Sequence, residues 1–454
     1  MANIREIALS ILMEYDRDGL KKPSLLKDSL NKYDYLETRD KAFLKRLVDG
    51  CLERQIQLDY VLDSFSRTPV KKMQPLIRSL MRMSVYQIMF MDAVPDSAAC
   101  NEAVKLANKH KFSGLKGFVN GVLRNISRNK ENIKYPDKNA DNGCEYLSVY
   151  YSAPKWLCRM WTNEYGFEKT RDILEFFLQP RPTTIRVNTN KIKVEKLKKE
   201  LLDAGVKVTD NALLHYALDI EKTDNIRFLP EYDEGGFAIQ DVSSMLVNEV
   251  ADTKEGQIVI DVCASPGGKS LHAAERVGNN GKVISRDLSE RKCELILENA
   301  ERLGVENIEV SVNDARISDE KLRNKGDVLL LDVPCSGLGI MGRKSDIKLN
   351  LKKEALESLE ELQWEIVKAS WDYVREGGIL LYSTCTVNKK ENEDMVKRIC
   401  TELPFEAVGF RALLPDRIKE SELSKTADNG FIQLIPGEFG TDGFFIAKLR
   451  RKSE

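Results

Sequence analysis

Apolar residues recur every three to four positions through the first 130 residues of the chain. Ile4, Ile7, Ala8, Ile11 and Leu12 share one helical face, and so do Phe43, Leu44, Leu47, Val48, Cys51 and Leu52. Pro75 suits the first turn of a helix that continues through Leu76, Ile77, Leu80 and Met81. Asp96-Ser97, just before Ala98-Ala99, marks another helix start, and a last helix runs from Gly117 to Arg128. Met81, Met83, Met89 and Met91 read as core filler within this pattern. No strand-like alternation of any length precedes residue 140, so an all-α domain is predicted over 1–135.

The polar, turn-rich stretch 131–145 predicts a linker. Beyond it, Ala153-Pro154-Lys155-Trp156-Leu157 opens a helix, and Gln179-Pro180-Arg181-Pro182 stops the next one. Thr183–Asn188 alternates and is β-rich, which predicts a strand, and Lys193–Leu202 is helical up to Gly205. These elements make a small α/β module over 145–234. From Gly235 the pattern becomes strand–helix alternation. Strands are predicted at Ile258–Val262, Lys282–Asp287, Ile308–Val312, Val328–Val333, Gly378–Ser383 and Gly443–Leu449, with helices such as Arg291–Leu303 and Glu354–Val374 between them. That alternation predicts a parallel sheet covered on both faces over 235–454, with its ligands beyond the carboxyl ends of the strands.

Composition narrows the class. At 454 residues, 42% hydrophobic and 31% charged, the chain fits a globular protein of two or three domains. It has no run of eighteen apolar residues for a membrane span, and its start lacks the cleavage site of a secretion signal. Nine cysteines without a CxxC pair argue for a reducing, cytoplasmic setting and against a zinc ribbon. His110, His215 and His272 lack ligand neighbours at metal spacing, so no metal site is expected. The net charge of −1 hides an asymmetry. Residues 1–140 hold 25 Lys and Arg against 17 Asp and Glu, and the excess lies within 71–130. Lys105, Lys109, Lys111, Lys116, Arg124, Arg128 and Lys130 are the expected contacts to a polyanion.

Three strand ends carry the chemistry. Ile258–Asp261 runs into a loop of Cys263, Ala264, Ser265, Pro266, Gly267, Gly268 and Lys269. Leu329–Asp332 leads to Cys335, and Ile379–Ser383 leads to Cys385. The loop admits three readings. A phosphate loop of the GxxxxGK[ST] type needs Gly where Cys263 stands. A GxGxxG dinucleotide loop is not met. An adenosyl cofactor without phosphates needs an acid after the next strand for its ribose hydroxyls. Asp287 supplies one 26 residues beyond Asp261, near the roughly 20 of the related dinucleotide motif. Asp314 is placed to read an adenine amino group, and Lys269 to act as an internal charge partner.

Two thiols beside such a loop match the needs of methylating carbon 5 of a pyrimidine. A thiolate adding at carbon 6 makes carbon 5 nucleophilic, a base must later remove the carbon 5 proton, and an acid near N3 eases the addition. A free thiol titrates near 8.5, so the attacking one needs help toward its thiolate. Cys385, Cys335 and Asp332 share these jobs, and spacing alone does not order the thiols. Exocyclic amine methylation instead uses an aromatic at the fourth place of the Asp-Val-Pro-Cys stretch, where Cys335 stands. Two rival functions are a P-loop NTPase coupled to RNA and a non-catalytic RNA-binding or antitermination factor. Cys263 and the second thiol strand argue against the first, and the intact thiol pair argues against the second.

The Asp261–Ser270, Asp332–Gly337 and Ser383–Thr386 segments resemble those of the RNA cytosine-C5 methyltransferases. The likeness extends to Gly236–Asp241, Arg302-Leu303-Gly304 and Arg343…Asp346-Ile347-Lys348, with Ser345 where relatives often carry Pro. Leu47–Gly50, Asn101–Val104 and Gly117–Arg124 resemble the NusB-type RNA-binding module. The order of the parts is similar to the bacterial Sun/Fmu (RsmB) group, which acts on 16S ribosomal RNA. The resemblance implies a Rossmann-like class I methyltransferase domain and S-adenosylmethionine as cofactor. It implies cofactor contacts from Cys263–Lys269, Asp287, Asp314 and Asp332. It also implies Cys385 as nucleophile and Cys335 as the residue that helps release the product. A monomer is expected.

Overall fold

The computed structural model describes residues 3–18, 32–33, 35–221 and 226–453. The sequence expectations that run over 1–2, 19–31, 34, 222–225 and 454 lie outside the described residues there. The chain forms two compact units, Met1–Leu178 with Met341–Lys353, and Gln179–Ile340 with Glu354–Glu454.

Among the described residues the first unit is helical. Helices span Ile4–Asp18, Thr38–Glu53, Gln55–Phe65, Pro75–Phe90, Asp96–Lys109 and Lys116–Asn129, followed by Cys144–Tyr150 and Lys155–Leu178. Thr38–Glu53 buries Leu44, Leu47, Val48, Cys51 and Leu52, the stripe that a 3.6-residue period puts on one face. Pro75–Phe90 buries residues on every side, Met81 and Met83 among them, and is the central helix of the core. A Cβ at Gly50 would sit 2.0 Å from the Tyr86 ring, so only glycine lets these two helices approach. On Lys116–Asn129, Val119, Val122, Leu123 and Ile126 face the core. Gly117, Gly121, Arg124 and Arg128, at spacings of four, three and four, make the opposite, exposed face.

The segment Met341–Lys353 belongs to this unit. Its Leu349 packs on the helical core, and the buried Lys348 donates from Nζ to the carbonyl of Glu53 at 3.2 Å. Burial lowers the Lys348 ammonium to about 8. This lysine of the Arg343…Lys348 motif is thus an internal group.

The second unit holds two sheets. In the smaller, β1 (Thr183–Val187), β2 (Lys207–Asp210), β3 (Ala217–Glu221) and β4 (Phe237–Ile239) are all antiparallel, in the order β2-β3-β1-β4, with helix Val194–Asp203 packed against them. Its fourth strand comes from just beyond Gly235.

The larger sheet contains β5 (Ile258–Asp261), β6 (Lys282–Asp287), β7 (Ile308–Val312), β8 (Gly326–Asp332), β9 (Val374–Thr384), β10 (Phe405–Ala407), β11 (Phe431–Leu434) and β12 (Phe444–Arg451). The order is β10-β12-β9-β8-β5-β6-β7, with β11 also on β12. Strands β9, β8, β5, β6 and β7 are parallel, whereas β12 is antiparallel to β9, β10 and β11. The expectation of a parallel sheet is therefore corrected at its last three strands. β11 and β12 form a hairpin, which opposes those two, and β12 joins β9 straight from that hairpin, without the crossover helix that a parallel neighbour needs. Helix Glu354–Ser370 also ends earlier than expected, because Val374 already opens β9. Val259, Val328, Leu330 and Leu381 pack on one face and Ile260, Leu329, Leu331 and Tyr382 on the other, so adjacent apolar residues serve two cores. From β5 the chain moves out through β6 and β7, then returns to place β8 on the other side of β5. The carboxyl ends of β5 and β8 flank that switch point, where such sheets bind ligands. No described helix is long and apolar enough to cross a membrane.

Candidate active site

The five parallel strands bring the chemistry-bearing residues to one edge. In the spatial order β9, β8, β5, β6, β7, Cys385 follows the first, Asp332 closes the second with Cys335 three residues on, and Cys263–Lys269 follow the third. Asp287 closes the fourth strand and Asp314 follows the last. The thiols therefore lie at one end of the edge and Asp314 at the other.

The sulfurs of Cys335 and Cys385 are 3.2 Å apart. All nine cysteines are reduced. The hydrogen bond with Cys385, then burial, push the Cys335 thiol well up, and either sulfur can be the donor between them.

Asp332 closes β8, three residues before Cys335. Lys269 Nζ donates to its Oδ2 at 2.7 Å, and Ser383 Oγ donates to its Oδ1 at 2.8 Å. Lys269 also sits over the Phe444 ring at 5.2 Å. The loop lysine thus has an internal partner and does not project as a phosphate lysine would.

The loop after β5 is held from within. Gly267, at φ +102, caps helix Gly268–Val277 in a conformation that a side chain would strain. Asp261 is buried and accepts from Ser270 Oγ at 2.6 Å, and burial raises its carboxyl to about 7. Burial and the neighbouring aspartates push the Cys263 thiol up, so this cysteine offers the site its backbone, not a nucleophile. Ala264 N–H donates to the carbonyl of Arg286, which ties the loop to β6.

Asp287 is buried. Its Oδ1 accepts from Leu288 N–H and Lys292 Nζ, and its Oδ2 accepts from Ser265 N–H at 2.9 Å, which leaves a lone pair on Oδ2. Asp314 pairs with Arg316, whose Nε and Nη2 reach Oδ1 and Oδ2 at 3.0 and 2.6 Å. A cavity of about 600 Å³ opens there, lined by Asp314, Arg316, Ile317 and Glu365 among others. The donor set fits an adenosyl group. There are carboxylate acceptors for hydroxyls and an exocyclic amine, a glycine loop for close approach, and no unpaired lysine in the loop for a phosphate. Among the described residues no cluster of His, Cys, Asp and Glu could hold a metal ion.

Sequence reasoning missed the groups beneath the thiols. Glu391 is fully buried and accepts from Ser336 N–H (2.9 Å), Ser336 Oγ (2.5 Å), Gln363 Nε2 (2.9 Å) and Asn388 Nδ2 (2.9 Å). Asn392, also fully buried, accepts from Thr384 Oγ1 at 2.6 Å and donates to the carbonyl of Thr386 at 3.1 Å. The only signal was a run of polar residues, Asn388–Asn392, soon after Cys385. Such a run ordinarily reads as solvent-facing. All three histidines make structural contacts: His272 is buried against Tyr216, His215 packs edge-on to the same ring, and His110 lies 3.4 Å from Glu6.

Comparison with known proteins follows the same three parts. Residues 249–450 match the family model for the 16S rRNA methyltransferase RsmB/F, residues 2–128 that of the NusB family, and residues 153–227 the ferredoxin-like domain of RsmF/B-like methyltransferases. A probable ribosomal RNA small subunit methyltransferase B of Bacillus subtilis (strain 168) is 37% identical over 453 residues, covering 99% of both chains. Its counterpart in Synechocystis sp. (strain ATCC 27184 / PCC 6803 / Kazusa) is 31% identical over 454 residues, 99% of this chain and 100% of that one. The crystal structure of PH0851 superposes with a TM-score of 0.80 at 25% identity, covering 99% of each chain. A methyltransferase homolog protein from Pyrococcus horikoshii superposes at 0.55 with 26% identity, covering 67% of this chain and 97% of that one.

Proposed function

The chain belongs to the RsmB/F family of 16S rRNA methyltransferases, and on that premise we propose that it methylates carbon 5 of one cytosine in 16S rRNA through a covalent adduct with Cys385. Its fold is that of the family: a NusB-like helical region, a ferredoxin-like α/β module and a Rossmann-like class I methyltransferase domain. It is a methyltransferase, and S-adenosylmethionine is its cofactor. The NTPase and non-catalytic readings are set aside with that membership. The boundaries 1–135, 145–234 and 235–454 serve as the working division into domains.

The observation that carries the proposal is the 3.2 Å approach of Cys335 and Cys385 next to the cofactor loop. Cys385 gives its proton to solvent, adds as the thiolate to carbon 6 of an unstacked cytosine and forms an S–C6 bond. The displaced electron pair makes carbon 5 nucleophilic, and Asp332, paired with Lys269 at the end of β8, is the group proposed to ease charge at N3. When bound, the cofactor supplies an electrophilic methyl group on a sulfonium. The residues proposed to hold it are Cys263–Lys269, Asp287, Asp314 and Asp332. Once Cys385 is a neutral thioether, the partner that kept the proton on Cys335 is gone, and Cys335 can lose it to solvent. As a thiolate it then removes the carbon 5 proton, the S–C6 bond breaks, and Cys385 leaves with the electron pair.

The exposed face of Gly117, Gly121, Arg124 and Arg128 supports RNA contact by the helical region. Its glycines present open backbone and its arginines suit phosphates. Thiol chemistry suits a reducing compartment, so the proposed location is cytoplasmic, and the proposed state is a monomer. The direct test is tritium-methyl transfer to 16S rRNA with mapping of 5-methylcytosine. Label at a single cytosine is expected. Label on an exocyclic amine, or none on any RNA form, would overturn the reading.

A further inference from the structure

Each active-site cysteine has its two chain neighbours tied down by buried side chains. Pro334, before Cys335, accepts at its carbonyl from Gln363 Nε2 at 2.9 Å, and the same amide donates to Glu391. Ser336, after Cys335, gives both its N–H and its hydroxyl to Glu391. Thr384, before Cys385, donates its hydroxyl to Asn392, and Thr386, after it, accepts at its carbonyl from the Asn392 amide. Ser336 Oγ and Thr386 Oγ1 join the two loops at 2.7 Å. Glu391 and Asn392 are consecutive residues, so one stretch of backbone grips both loops. That backbone is anchored in turn, because the Glu391 carbonyl accepts from Tyr382 OH at 2.7 Å and Asn392 Nδ2 donates to Gln433 Oε1 at 2.6 Å.

We propose that Glu391 and Asn392 are positioning residues, a two-jawed clamp in which Glu391 fixes the Cys335 loop, Asn392 fixes the Cys385 loop, and their adjacency sets the distance between the sulfurs. The charge of Glu391 also helps to hold the proton on the Cys335 thiol. A buried carboxylate with four donors is held in one geometry, since every alternative leaves polar groups unpaired. A positional error of about 1 Å at a reacting group costs on the order of 10²-fold in rate. The two jaws act on different steps. Loosening Glu391 misplaces Cys335 and slows release, whereas loosening Asn392 misplaces Cys385 and slows addition. This split rests on the roles proposed above for the thiols, but the clamp itself does not.

The first measurement needs no RNA. The rate at which diamide joins Cys335 to Cys385 reports how closely and steadily the sulfurs face each other. Glu391→Gln and Asn392→Ala are each expected to change that rate about fivefold or more, with the exposed Lys397→Ala unchanged as control. Equal rates in all three would overturn the clamp. If Glu391→Gln does not fold, Ser336→Ala is the milder cut, since it removes only the hydroxyl shared with Glu391 and Thr386. It must shift the rate in the same sense. The second measurement uses 16S rRNA. Glu391→Gln should accumulate a denaturant-stable RNA adduct and Asn392→Ala should form it slowly without accumulation, both with unchanged cofactor affinity. Wild-type partitioning in both variants would overturn the clamp. If Cys335→Ala itself gives no adduct, the release role of Cys335 fails instead, and the cross-linking rates still decide the clamp.

Discussion

The sulfur of Cys335 lies 3.2 Å from the sulfur of Cys385, although fifty residues and a complete helix separate them in the chain. The parallel pairing of β8 with β9 produces that approach, since Asp332 sits opposite Ser383 and both loops leave the sheet at the same level. On the mechanism proposed above, the two thiols serve two halves of one reaction. Cys385→Ala should reduce methyl transfer to background while cofactor affinity, read by calorimetry, stays unchanged. Cys335→Ala should slow turnover by about 10²–10⁴-fold, the usual worth of a positioned acid or base, and leave a gel-shifted RNA adduct that survives denaturant. Normal turnover by the first variant, or an adduct from the first but not the second, would reverse or remove the assignment.

The Lys269–Asp332 pair can be tested by a double-mutant cycle. Lys269→Met leaves the Asp332 carboxylate with Ser383 alone, and Asp332→Asn leaves a largely buried ammonium over the Phe444 ring. Each single change should lower stability by about 1–3 kcal/mol, because one polar partner is left unmatched. The double variant should recover part of that loss, with a coupling of about 0.5–3 kcal/mol in urea unfolding. It should not recover methyl transfer. Additive stability losses would mean the two groups do not act as a pair.

The parts of this site that follow from local pattern are legible in the sequence. Ile258–Asp261 is an apolar run ending in its acid, Lys282–Asp287 carries Val283 and Ile284, and Ile308–Val312 alternates apolar with polar, all between helical periods, so the strand ends, and the acids and thiols beyond them, can be counted off. β10, β11 and the strands β2 and β4 are not legible. Each has three or four residues and no room for an alternation to show. The burial of Glu391 and Lys348 is hidden for a different reason. A charged residue reads as exposed unless its partners are known, and their partners, Ser336 and the carbonyl of Glu53, are 55 and 295 positions away. Lys269 reads as an internal partner because the phosphate-loop pattern fails at Cys263, which is information the local motif does hold.

Lys348 makes the stability of the helical unit depend on pH in a defined sense. Its ammonium is buried and titrates at about 8 in the folded chain against 10.5 as a free side chain. Below about 8 both states hold the proton, and the folded state carries the full cost of the buried charge. Between about 8 and 10.5 the unfolded chain binds more protons, so stability rises with pH. That gap is worth on the order of 3 kcal/mol at about 1.36 kcal/mol per unit. Lys348→Met should therefore be more stable than the wild type at pH 7, by about 1–2 kcal/mol once the lost bond to Glu53 is counted. The advantage should shrink as pH rises toward 10. A difference that does not change with pH would show that Lys348 is not held charged in the interior.

The arginine face of helix Lys116–Asn129 gives a prediction about the RNA rather than the chemistry. Arg124 and Arg128 are exposed one turn apart, and Gly117 and Gly121 continue the same stripe with open space above their backbone. A phosphate chain lying on this stripe would reach both guanidinium groups without steric conflict. If each neutralises one phosphate, replacing both by Glu should weaken binding of 16S rRNA. It should also flatten the plot of log affinity against log salt by about 0.7–0.9 for each phosphate no longer neutralised. Cofactor affinity should not move, and the helix should keep its core, because Val119, Val122, Leu123 and Ile126 are untouched on the opposite side. The salt slope separates this from a general loss of shape. A misfolded helical region would weaken binding at every ionic strength and lower the melting temperature, whereas removing two arginine–phosphate pairs changes the slope and leaves the melting curve in place. An unchanged slope in the doubly substituted protein would move the RNA-binding surface off this helix.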